Sequence, residues 1–334
     1  MASFALRFTR RLFPMKRSVV PLLLSLSLAP LACTREQPPA KPAAAAVKPP
    51  REKQTMSFEQ ENAAWRTRRR ERLTSDDGWL TLVGLPWLES GSNTLGSDPE
   101  SDLRLPSKLP AHCGTVTLEG DKVTLDPDPA AGFTLAGKPL KTATVLTSDA
   151  DPNVPPSTVR AGTVSFFVVK RSDANSTRYG LRVKDTEAET RTKFKGLDYF
   201  PANPKYRVEA RFQPYNPPKK LPITNVLGMT SDETVPGVLI FTLDGKEQRV
   251  EPILEAGETN LFLIFKDATS GKETYGAARY LYAAPAGPDG KTIVDFNQAY
   301  NPPCAFTHFA TCPLPPPQNR LAIRIEAGEK LYQH

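Results

Sequence analysis

The sequence predicts an all-β protein: a sandwich followed by a second, barrel-like β domain, with one helix ahead of both. Three observations predict it. Proline occurs 34 times in 334 residues, about twice the usual frequency, and it interrupts helices and interior strands alike. Apolar residues alternate in short runs bounded by Gly, Pro, Asn and Asp, as strands joined by turns do. Only one segment pairs a helical start signal with the length to use it. A chain that is 39% hydrophobic and 24% charged is globular, which excludes a wholly disordered or polytopic protein.

The amino terminus reads as an address. Lys16-Arg17 precedes a mostly apolar run from Ser18 to Ala29, followed by Pro30-Leu31-Ala32-Cys33. The run is too short to span a bilayer and fits a secretion signal over residues 1–32, with Met1 or Met15 as its start. Ending on small Ala32 before Cys33, it resembles a bacterial lipoprotein signal. That resemblance implies cleavage, a lipid on Cys33, and an envelope protein facing the periplasm or the cell surface. Residues 33–56, rich in Pro and Ala, then form a tether. Of the formal net charge of +7, five positive charges (Arg7, Arg10, Arg11, Lys16, Arg17) precede residue 33 with no acid among them, which leaves +2 for the rest. So small a balance argues against a nucleic-acid partner.

Residues 57–74 form the helix. Ser57 followed by Gln60 is a capping box, and Phe58, Trp65 and Leu73 share one stripe, which leaves the arginines on a solvated face. Residues 75–189 hold the first β unit, with strands at Trp79–Val83, Asp102–Leu105, Gly114–Leu118, Lys122–Leu125 and Phe133–Leu135, and a hairpin turn at Glu119-Gly120-Asp121. A proline-rich break at Asp151–Pro156 follows, although Thr163–Lys170 and Tyr179–Val183 can still join the first sheet. Residues 190–334 hold the second unit. Its strands are Tyr206–Phe212, Leu221–Val226, Gly237–Leu243, Gln248–Ile253, Asn260–Phe265 and Ala278–Tyr282, with a hairpin at Asp244-Gly245.

Two resemblances sharpen this picture. Gly91–Pro106, with His112 soon after and Leu135–Leu140 later, resembles a forkhead-associated (FHA) domain, a β-sandwich that reads phosphothreonine. Ser97 stands where that family's phosphate-binding arginine would follow the glycine, and Ala111 stands near its binding serine. The resemblance therefore implies an FHA-like sandwich without the phosphopeptide function. Asp77–Leu80, Gly84–Leu88, Phe194–Phe200, Lys266–Gly276, Arg279–Tyr282, Val294–Phe306 and Thr311–Leu321 together resemble the family called domain of unknown function 1684. That resemblance runs from Trp65 to Tyr332, is most specific from Asp295 to Arg320, and implies no activity.

Two uses of the polar residues in the last third stay open. Prolines on both sides of Cys304–Cys312 make a rigid loop suited to presenting Asn297, Asn301, Asn319 and Arg320, with Asp295, to a small polar or acidic ligand. Lys272, Tyr275 and Arg279 would add positive charge and a hydroxyl. Alternatively, these side chains satisfy the buried loop internally. The cysteines also admit several readings. Cys304 and Cys312 can close a disulfide in an oxidising envelope, stay reduced and packed, or, with His308 at i, i+4 and i+8, share a helical face as zinc ligands. Cys304 can also act as a nucleophile beside His308. No cofactor motif appears, the favoured set contains no metal, and a protein partner is undefined. The sequence thus favours an envelope lipoprotein binding a small polar or acidic ligand. The alternatives are a hydrolase-type enzyme with its site in residues 266–320, using Asp295, Lys272 and Tyr275, and a structural interaction module.

Overall fold

The computed structural model describes residues 56–173 and 176–333. The signal at 1–32, Cys33 and its lipid, the tether up to Thr55, and His334 lie outside the described residues. Helix α1 (Phe58–Thr74) starts at the expected capping box, in which the Ser57 hydroxyl accepts from the Gln60 amide and the Gln60 side chain accepts from the Ser57 amide. Its buried line is Asn62, Trp65, Arg69 and Leu73, spaced three, four and four residues apart as one helix face requires. Arg69 departs from the solvated arginine face that the sequence predicts. It is buried because Glu329 meets its guanidinium at 2.6 Å, also away from solvent.

The next strands are β1 (Leu82–Gly84), β2 (Gly91–Gly96), β3 (Leu103–Arg104), β4 (Gly114–Glu119), β5 (Lys122–Pro127), β6 (Thr134–Leu135), β7 (Lys138–Pro139), β8 (Thr144–Leu146), β9 (Val159–Ala161), β10 (Val164–Ser172) and β11 (Thr177–Asp185). They form a six-stranded sheet ordered β1-β11-β10-β9-β6-β7 and a five-stranded sheet ordered β3-β2-β4-β5-β8. The alternation legible in the sequence explains how the sheets close on each other. Leu95, Val116, Val123 and Leu125 from one sheet and Phe166, Val168, Leu181 and Val183 from the other share one core. Residues between them, such as Arg182, point to the other face of the six-stranded sheet. The segments around Val168 and Leu181 do join the first sheet.

The second half contributes β12 (Arg207–Thr224), β13 (Thr230–Leu243), β14 (Lys246–Val250), β15 (Leu261–Phe265), β16 (Arg279–Ala283) and β17 (Lys291–Asp295). Four of these form an open sheet, β14-β13-β12-β17, on which the β15-β16 pair packs. The β15-β16 pair is buried on both faces. Leu261, Leu263, Phe265, Leu281 and Ala283 enter one core, while Phe262, Ile264 and Tyr280 enter another. Residues 296–333 run over these cores without a strand, tied down by single bridges such as Tyr280 to Tyr300 and Lys266 to Arg320.

Two local expectations change. The strand expected at Trp79–Val83 begins at Leu82, because Trp79–Thr81 is a 3-10 turn locked by the Thr81 hydroxyl donating to the Gly78 carbonyl at 2.7 Å. The two strands expected at Tyr206–Phe212 and Leu221–Val226 are one, β12, whose pairing with β13 shifts between Pro214 and Lys219. A bulge absorbs the prolines that break the sequence pattern. The all-β architecture with one amino-terminal helix stands, with a single helical turn, α2 (Glu189–Thr192), added.

Candidate functional site

Of the eight residues that the sequence gathers as a ligand set, six have side chains bonded to the protein itself, Asp295 and Asn297 to each other. Arg279, fully buried, reaches Asp267 at 3.2 Å and the carbonyls of Ile325 and Ala327. Burial pulls its pKa down, and the Asp267 carboxylate opposes that shift. Asp295 accepts from the Asn297 amide at 3.0 Å and from its side chain at 2.8 Å, while Asn297 also exchanges hydrogen bonds with the backbone of Asn203. Asn301 donates to the Lys330 carbonyl at 2.8 Å. Asn319 acts as a clamp, accepting from the Glu251 amide at 2.8 Å and donating to the carbonyls of Glu251 and Ile264 at 2.9 and 3.0 Å. The Tyr275 hydroxyl donates to the Cys304 carbonyl at 2.9 Å. Lys272 and Arg320 are exposed. A strandless carboxyl-terminal segment needs such partners, because its backbone groups have no ladder to satisfy them.

The structure gathers a different set. Strict alternation in β16 sends Arg279 and Leu281 inward and Tyr280 and Tyr282 to the opposite face. There Tyr282 stacks on Phe262 (centroids 4.8 Å, 22°) and lies nearly parallel to Tyr300 (6.4 Å, 17°). Backbone hydrogen bonds of 3.0 and 2.9 Å between Tyr280 and Tyr300 fix the register of that stack. Trp79 faces Tyr300 at 6.2 Å, delivered by Gly78, where a Cβ would lie 2.2 Å from the Leu73 carbonyl oxygen at the end of α1. The Arg69 guanidinium sits 4.9 Å from the Trp79 ring centroid and 4.8 Å from that of Tyr300.

These rings wall two adjoining cavities. One, of about 550 Å³, is also bounded by Trp65, Arg72 and Glu258. The other, of about 210 Å³, is also bounded by Arg182, Glu255, Thr311 and Cys312. Trp79, Tyr282 and Tyr300 belong to both walls, so the two cavities adjoin along these rings as an aromatic cleft of two lobes. Tyr282 is 42% exposed, which leaves an aromatic ring open to the cleft within an otherwise packed stack.

Electrostatics keeps the cleft's tyrosines protonated. Burial raises the pKa of Tyr280, Tyr282 and Tyr300. The Tyr282 hydroxyl donates to Glu255 at 2.6 Å and that of Tyr280 to the Pro313 carbonyl at 2.8 Å. Cys304 and Cys312 are free thiols, one of the readings that the sequence leaves open, and the Cys304 amide donates to the Cys312 sulfur at 3.1 Å. The Cys312 thiol's hydrogen bond holds Cys304 below its ordinary pKa against the effect of burial, whereas Cys304 and burial push Cys312 up. The 3-10 turn Pro303–Ala305 ends before residue 306 and no helix continues to Cys312, so the face that would align His308 with both thiols does not form. Among the described residues no three ligating side chains converge on a metal position. The arrangement can stack flat groups and donate hydrogen bonds.

Neither Arg182 nor the stacked rings belong to the set drawn from the sequence. The Tyr-Leu-Tyr alternation at 280–282 was the readable signal for two of them. Arg182 shows no such signal, because its strand lies about a hundred residues away in the chain.

No curated protein matches the chain significantly. A solution structure of an uncharacterised protein from Haloarcula marismortui is 34% identical, covering 42% of this chain and 78% of that one, with a TM-score of 0.36. Residues 192–330 match the family model described as a protein of unknown function, DUF1684, and it is to this family that the chain belongs.

Proposed function

We propose that the protein is an exported, lipid-anchored small-molecule-binding protein whose site is the aromatic cleft. The observation that carries the reading is the stack of Phe262, Tyr282 and Tyr300 with its half-exposed central ring, which together with Trp79 lines an open cavity. Concave, mostly apolar sites with a few convergent polar groups are what small ligands occupy, and rigid aromatic walls suit a flat, unsaturated group. The envelope location rests on the apolar run before Cys33.

Titrating benzamide into the full chain while following the Trp79 indole N–H signal, assigned with Trp79→Phe, tests the cleft. A saturable shift is expected. It should weaken at least tenfold in Tyr282→Ala, which removes a half-exposed ring and should keep the melting temperature within a few degrees. A shift that grows linearly without saturating in either protein removes the reading. The intact mass of the protein taken from its own membranes tests the anchor. An acylated amino terminus at Cys33 is expected, and an unmodified terminus ahead of it contradicts the anchor.

A further inference from the structure

Arg182 is a half-buried charge that no ion pair among the described residues accounts for. Its neighbours in β11, Leu181 and Val183, enter the sandwich core, so the two-residue period turns Arg182 outward to the wall of the smaller cavity. Of its three nitrogens, Nη2 meets the Thr311 hydroxyl at a long 3.4 Å, and Nε is sealed from solvent without an acceptor. Among the described residues no carboxylate lies within 4.0 Å of it, although seventeen ion pairs of that length occur.

The acid whose charge opposes the lowering of the Arg182 pKa, Asp149, is already committed. Asp149 accepts from Arg171 at 2.9 and 2.8 Å and from the Lys170 amide at 3.0 Å. Arg171 also reaches Thr311, at 3.4 Å, which brings a second guanidinium to the same hydroxyl. Burial, and then the charge of Arg171, pull Arg182 down to about 10, so it remains a cation at neutral pH. The acid on this cavity wall, Glu255, accepts the Tyr282 hydroxyl. A desolvated cation beside a like charge and without a counter-ion is unfavourable. A site that carries one gains from an anion placed against it.

We infer that the ligand of the aromatic cleft is a small unsaturated carboxylic acid, its carboxylate held by Arg182 and the Thr311 hydroxyl and its flat body laid along Tyr282 and Tyr300. This rests on the cleft being a binding site and adds the chemical class of what binds there. A carboxylate suits the site better than a phosphate dianion, because Arg171 is neutralised by Asp149, Arg182 is left as the one unpaired cation at Thr311, and Glu255 on the same wall disfavours a second negative charge. The cavity beside Arg182, about 210 Å³, holds a ring and a carboxylate and leaves the larger one for a substituent.

Benzoate and benzamide have nearly the same shape and differ in charge, so the pair separates the two claims. Both are titrated calorimetrically into the full chain, into Arg182→Met and into Arg182→Lys, each variant first checked for an unchanged unfolding transition. Benzoate is expected to bind at least tenfold more tightly than benzamide in the unaltered protein. The preference should vanish in Arg182→Met through loss of benzoate affinity alone, and Arg182→Lys should retain part of it. Equal binding of the two compounds, or a preference that survives in Arg182→Met, overturns the carboxylate assignment and leaves the cleft in place. Failure of both to bind overturns the cleft reading and the assignment with it.

Discussion

At the scale of single residues, buried charges decide most of what this chain can tolerate. Arg69 and Glu329 meet far from solvent, and Glu329 also accepts the Asn301 amide at 2.8 Å. Removing one partner strands the other charge, so Glu329→Gln should cost about 3–5 kcal/mol in urea unfolding, and adding Arg69→Met should recover part of it. An unchanged midpoint in the single variant would mean that the pair is not formed. Glu251 makes a second, pH-dependent prediction. Burial pushes its carboxyl up, but hydrogen bonds from Lys219, Tyr215 and Gln318 together outweigh that and hold it below the ordinary 4.5. A carboxyl depressed in the folded state stabilises fully above its unfolded pKa, and that contribution drains away as pH falls below about 4.5. Stability measured against pH should therefore drop on acidification through this range, and Glu251→Gln should flatten the drop.

Secondary-structure elements act here as devices that aim side chains. Helix α1 carries Trp65, Arg69 and Leu73 to one side of the cleft, and its capping box sets where it begins. Ser57→Ala should cost about 1 kcal/mol of stability in thermal unfolding and leave ligand binding intact, since the cap lies at the far end of the helix from Trp79. Gly78 sits at the other end, where an added Cβ has no room against the Leu73 carbonyl. Gly78→Ala should therefore cost more than the cap variant and move the Trp79 indole signal even without ligand. An unmoved signal would show that the turn relaxes elsewhere. Strand β16 divides its residues between two cores, and this places two tyrosines on the cleft while Arg279 is consumed behind them.

Over the whole molecule, the parts legible in sequence are those governed by local periodicity. The capping box, the hairpins at Gly120 and Gly245 and the alternating strands of both halves could be read because each depends on residues close together in the chain. The long β12 was read as two pieces because prolines mark a break whether the strand ends or bulges. The candidate site was less legible. The asparagines and Asp295 look alike as ligands or as loop clamps, and only the backbone groups they face distinguish the two uses. Arg182 and Tyr282 meet at one cavity from strands of different sheets, a juxtaposition that no spacing in the sequence encodes. The most direct test of the cleft is an amide and indole chemical-shift map of the full chain titrated with benzoate. Saturable shifts are expected to cluster at Trp79, Arg182, Tyr282 and Tyr300 and to leave Lys272 and Arg320 still. Shifts centred on Lys272 or Arg320 instead, or no saturable shift anywhere, would contradict the account.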